Sequence, residues 1–106
     1  MAEPQQGMGA QELALVQSIL AIWLPMHEVR MFGSRARGTP KPYSDLDLVI
    51  MGDTPVPMAT MGQLRDALAD SDLPWRVDLV DWATTSPEFR AHIAQHSIPL
   101  QAPKAL

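Results

Sequence analysis

Apolar side chains recur at helical spacing along residues 10–24. Leu13, Val16, Leu20 and Leu24 share a stripe that Ile19 and Trp23 widen, and Leu15 and Ile22 lie beyond it. Pro25 ends that helix, because proline lacks an amide donor and clashes with the preceding turn. Val29-Arg30-Met31-Phe32 reads as a short strand stopped by Gly33, and residues 35–38 as a helical turn. Pro40 and Pro42 each disfavour helix before them, so residues 39–43 are expected to be extended. Leu46 to Met51 reads as a buried strand, and residues 52–57, with two prolines, as a loop. Met58, Met61, Leu64 and Leu68 mark a second amphipathic helix ending near Asp70, its methionines read as core. Trp75 to Val80 is a third strand. Ser86-Pro87-Glu88 opens a last helix with a cap and a proline at its first position; Phe89 and Ile93 should face inward there, with His92 a candidate to join them. Ile98-Pro99-Leu100 closes the pattern as a short extended piece.

This order predicts an α/β (α+β) arrangement: a small mixed β-sheet flanked by helices. The link from Phe32 to Leu46 is too short for a crossover, so those strands should be antiparallel. The second and third strands are joined through a helix and can be parallel neighbours. Residues 1–9 are expected to be a flexible tail, 10–100 the domain, and 101–106 a C-terminal tail.

A chain of 106 residues is one domain with one modest core and no room for a separate substrate domain. The absence of Cys excludes disulfides and thiolate metal sites. No apolar run approaches the ~20 residues that span a membrane. The first residues lack the basic start and apolar run of a signal peptide, so a cytoplasmic protein is expected. A net charge of −4 argues against broad, direct nucleic-acid binding. The charge is uneven, however. Arg30, Arg35, Arg37 and Lys41 are half of the basic side chains, and no Asp or Glu occurs from Val29 to Ser44. Asp45 and Asp47 follow at once. A basic patch beside an acidic pair fits a small polyanion held through metal better than a long duplex; a solvated basic loop is the competing reading.

The candidate chemistry lies there. Gly33 lets backbone approach a phosphate closely, Ser34 adds a hydroxyl donor, and a helical turn after it would aim free N–H groups at an anion. Gly38 lets the chain leave in an unusual conformation. Arg35 and Arg37 are two apart and do not share a helical face; Arg37 is assigned the inward role and Arg35 solvent. No Gly-Lys-Ser/Thr follows, so this is not a Walker A loop. On a strand, Asp45 and Asp47 point to the same side. Two carboxylates so close repel unless a cation lies between them, and oxygen-only ligands suit Mg²⁺. Taken alone, the pair is equally an exposed edge or a turn. Asp78 shifts the balance, because a carboxylate between Val77 and Leu79 in a central strand is costly unless paired or metal-bound. Beside Asp45 and Asp47 it would complete a three-carboxylate set for one or two metal ions, or accept a proton from an attacking hydroxyl. Arg76 is its competing partner, and Asp81 is a weaker candidate. His27, His92 and His96 lack metal-ligand spacing as a set. Trp23, Trp75 and Trp82 read as core or interface, and Tyr43 could stack on a base.

Gly33-Ser34, ten residues, Asp45-x-Asp47 and a later strand Asp78 resemble the nucleotidyltransferase superfamily that includes DNA polymerase beta. Gly33-Ser34-Arg35-Ala36-Arg37-Gly38 with Ser44-Asp45-Leu46-Asp47-Leu48 is similar to its minimal nucleotidyltransferase (MNT) group, and the likeness runs from about residue 10 to 100. The resemblance implies a mixed sheet flanked by helices, and a type VII antitoxin paired with a HEPN-domain RNase toxin. It implies AMP transfer from ATP to a tyrosine of that toxin. It puts the triphosphate on Gly33 and Ser34, and Mg²⁺, two ions by the two-metal scheme, on Asp45, Asp47 and Asp78. The alternatives are an antitoxin that masks the toxin by binding alone, and a transferase for a small molecule or RNA end.

Overall fold

Helix α1 (Ala10–Trp23) starts where Gly9 turns extended and its amide donates to Glu12 Oε1 at 2.9 Å, half of a capping box. A computed structural model describes residues 8–38 and 44–104. After α1 come β1 (Val29–Phe32), α2 (Gly33–Ala36), β2 (Leu46–Ile50), α3 (Met58–Ala69), β3 (Val77–Asp81), a 3-10 turn (Trp82–Thr84), α4 (Pro87–Gln95) and β4 (Ile98–Gln101). Ser86 caps α4 by accepting from the Phe89 amide at 3.2 Å, with Pro87 at its start, as the sequence signal predicts.

The strands form one mixed sheet in the order β3-β2-β1-β4. Both expected pairings form: β1 with β2 antiparallel, and β2 with β3 parallel through α3. β4 adds antiparallel to the free side of β1, with an irregularity between Val29 and Arg30. Strand alternation then sorts the side chains. Leu46, Leu48 and Ile50 of β2 are buried in one core with Val16 and Leu20 of α1, its C-cap Leu24, and Met61, Leu64 and Leu68 of α3. Val49 faces the other way, into a smaller cluster with Phe32 and Ile93 under α4. That second side of the sheet carries the site.

Several expectations change. Met8, placed in the loose tail, is 1% exposed and belongs to the main core. Gln101, placed in the C-terminal tail, ends β4, and its side chain donates to the carbonyls of Leu24 and His27 at 2.7 and 2.9 Å. Met58 is 90% exposed, because it is the first residue of α3 and precedes the turn that lies on the core. Of the three side chains expected inside α4, only Ile93 is buried; Phe89 lies at the rim, edge-on to Phe32 and stacked on exposed His92. β3 is an edge rather than a central strand, with all its residues half-buried, because among the described residues no strand pairs with its far side. The expectations for residues 39–43, Tyr43 included, lie outside the described residues. Among the described residues, no helix is long and apolar enough to cross a membrane.

Candidate active site

β1 ends at Phe32, whose partner across the ladder is Asp47. The chain must turn away immediately afterwards, and does so at Gly33 with φ +76°. A Cβ there would overlap Asp47 Oδ2 and lie 3.2 Å from its Cγ. Glycine is therefore demanded twice, by backbone hand and by the carboxylate beside it. The turn continues as α2, closed by the Arg37 amide donating to the Gly33 carbonyl at 3.1 Å. First-turn amides have no acceptor inside their own helix, which makes such a turn able to receive an anion. Ser34 is half-buried in that first turn. Gly38 leaves the turn at φ +74°, the conformation its identity suggested.

Two of the three candidate carboxylates meet in the sheet. Asp47 and Asp78 are direct partners in the parallel β2–β3 ladder and so point to the same side. Asp45 stands just ahead of the first residue of β2, two positions from Asp47. The Asp47 carboxyl is held above its ordinary range, first by burial, then by the charges of Asp78 and Asp45, and Arg37 partly offsets this. One residue thus senses both other carboxylates and the arginine assigned the inward role. Arg37 itself is exposed, at the C-cap of α2.

Arg76 is the competing partner of Asp78, with Nη2 3.9 Å from Oδ1, but the two are 82% and 49% exposed. Such a pair is weak and leaves Asp78 available. Asp81 is structural: Oδ2 accepts from the Val56 amide at 2.8 Å and Oδ1 from the Ala83 amide at 3.2 Å. Among the described residues, no group of three His, Cys, Asp or Glu forms a ready metal cage.

Arg35 departs from expectation. Instead of lying in solvent it is 3% exposed, its guanidinium 4.0 Å over the Trp75 ring. Nε and Nη2 both donate to the Ser44 carbonyl, at 3.1 and 2.8 Å. Burial lowers the pKa of the guanidinium, and nearby Asp45 opposes that shift. His96, given no site role by its spacing, places Nε2 2.9 Å from the Ala36 carbonyl and so braces α2 from the end of α4. Neither contact has a local sequence signal, since Trp75 and His96 lie far along the chain from α2. Trp82 packs in the smaller cluster beneath Arg90, and Trp23 packs against the main core.

A phosphate-receiving turn, an adjacent set of carboxylates and a neighbouring arginine together suit transfer of a nucleotide group. Comparison with known proteins agrees. Residues 17–104 match the domain described as Polymerase beta, Nucleotidyltransferase. The chain is 45% identical over 97 residues to a Haemophilus influenzae protein named "Probable protein adenylyltransferase MntA", covering 92% of this chain and 85% of that one. A toxin–antitoxin solved with AMP-PNP superposes with a TM-score of 0.72 at 24% identity, over 87% of this chain and 74% of that chain. A complex of the tri-AMPylated Shewanella oneidensis HEPN toxin with its MNT antitoxin gives 0.68 at 20% identity, over 92% and 73%. These two share the fold, while the domain match and the curated relative carry the family. On both counts the chain belongs to the polymerase beta nucleotidyltransferase family.

Proposed function

We propose that this chain is a type VII antitoxin: a Mg²⁺-dependent nucleotidyltransferase that moves AMP from ATP onto a tyrosine of a cognate HEPN RNase toxin. The observation that carries the reading is Asp47, in ladder register with Asp78 and packed against Gly33, so that two carboxylates suited to metal lie beside a turn suited to phosphate. The 45% identity to a relative named a protein adenylyltransferase supports the reaction, and the HEPN–MNT complex of the same fold supports the kind of partner.

The residues fit Mg²⁺ by donor chemistry. Asp45, Asp47 and Asp78 offer only oxygen; the Asp47 carboxyl is raised first by burial and then by the charges of Asp78 and Asp45, and a cation would relieve that repulsion. A ready cage is not required, because Mg²⁺ keeps waters and binds through one or two carboxylates plus substrate phosphates. When bound, it would supply charge neutralisation at the phosphates and acidify the attacking hydroxyl.

The chain's own residues do the rest. The amides after Gly33 and the Ser34 hydroxyl hold the triphosphate, and Arg37 adds positive charge at its exposed side. Asp45 and Asp47 would hold the metal, Asp47 directly against Gly33 of the turn. Asp78, on the edge strand and half exposed, would be the third ligand and is open to an acceptor. The tyrosine oxygen bonds to the α-phosphorus, the bond to pyrophosphate breaks, and Asp78 takes the phenolic proton. Positioning and charge supply most of what phosphoryl transfer needs.

The test incubates the protein with ATP labelled at the α-phosphate, Mg²⁺ and the HEPN toxin. Label and the mass of AMP should appear on a toxin tyrosine, and Asp45→Asn/Asp47→Asn should abolish both. Transfer by that double variant at the wild-type rate refutes the proposal; neutralisation without transfer would identify a masking antitoxin instead.

A further inference from the structure

The turn with Gly33 and Ser34 hangs from β1, and Asp47 is set in the β2 ladder. Asp45 sits just outside the ladder, so strand pairing does not fix it. What fixes its backbone is the preceding carbonyl, Ser44, which accepts both Nε and Nη2 of Arg35. A two-donor fork on one oxygen sets direction as well as distance. The guanidinium also lies over Trp75, and the next residue, Arg76, receives the Leu46 amide on its carbonyl at 2.9 Å. One buried side chain therefore touches α2, the approach to β2 and the approach to β3. These three segments carry Gly33 and Ser34, Asp45 and Asp47, and Asp78.

We propose that Arg35 is a positioning residue that clamps the three limbs of the site together, so that metal ligands and phosphate turn are held in one geometry. At 3% exposure and stacked on Trp75, it acts through the Ser44 carbonyl and not by touching nucleotide. The assignment rests on the reading of these residues as a Mg²⁺–nucleotide site.

The test is calorimetric titration of the non-hydrolysable analogue AMP-PNP, with and without Mg²⁺, into wild-type protein and Arg35→Met. Wild type should gain affinity on adding Mg²⁺. Arg35→Met keeps the volume over Trp75 and removes the fork. It should cut that gain about tenfold, the usual scale for a residue that orients metal ligands, while leaving metal-free binding within about twofold. A merely structural role would instead lower the melting temperature and leave the gain intact. Should Arg35→Met not fold, Arg35→Lys carries the test, since it keeps the charge and loses the fork; about threefold of the gain should go. An undiminished gain in the folded variant overturns the clamp. No gain in wild type refutes the Mg²⁺–nucleotide reading, and the clamp with it.

Discussion

Replacing Gly33 by alanine should destabilise the fold and expose the link between turn and carboxylate. The left-handed backbone at φ +76° costs an L-residue roughly 1–2 kcal/mol. The new methyl overlaps Asp47 Oδ2, and pushing that side chain off its rotamer costs about 0.5–1.5 kcal/mol more. The sum, about 1.5–3.5 kcal/mol, should lower the melting temperature by roughly 6 °C or more in circular dichroism. The two parts separate in a double-mutant cycle. With Asp47→Ala, only the Asp47 Cβ remains near, at 3.4 Å, which is ordinary contact. Gly33→Ala in that background should cost only the backbone share, leaving a coupling of about 0.5–1.5 kcal/mol. Additivity to within about 0.3 kcal/mol, or a Gly33→Ala variant melting within about 2 °C of wild type, refutes the packing of turn against carboxylate.

Burial and like charge make the folded chain hold the Asp47 proton more tightly than the unfolded chain does, so wild type loses stability as pH rises from 3.8 through the raised folded value. Asp47→Asn should therefore melt above wild type at neutral pH, with the difference shrinking in acid; a difference independent of pH sinks this. Arg37→Gln should weaken nucleotide binding on the order of tenfold with little change in melting, since the side chain is exposed and its worth is a charged hydrogen bond to phosphate; equal dissociation constants by titration would contradict the assignment. Ser86→Ala removes the α4 cap and should cost about 1 kcal/mol in urea denaturation, with metal-dependent nucleotide binding unchanged.

What could be read in advance follows a physical line. Local patterns located the elements well, because Pro25, Gly33 and Ser86-Pro87 act through their own backbone. The helical crossover brings Asp78 beside Asp47, while Asp45 lies just outside the ladder, where strand periodicity does not reach. The long-range facts were hidden. β3 reads as a central strand because Val77, Leu79 and Val80 are apolar, yet an edge strand packed on both faces can be equally apolar. Met58 and Phe89 fit the helical period but lie at the ends of their helices' contact with the sheet. Arg35 reads as solvated because the inward role falls to Arg37, two positions on and off its face, and only the fold brings Trp75 beneath Arg35.

The place of β1 between β2 and β4 has a consequence for synthesis. Its partner on one side, β2, follows closely, but β4 does not begin until Ile98. At about 5–20 residues per second, β1 waits roughly 3–13 s with a row of unpaired amides and carbonyls on that side. His96, which braces α2 through the Ala36 carbonyl, arrives just as late. A nascent chain thus carries its phosphate turn before that turn has its last support, so nucleotide-binding competence should be among the final properties acquired as the chain is made.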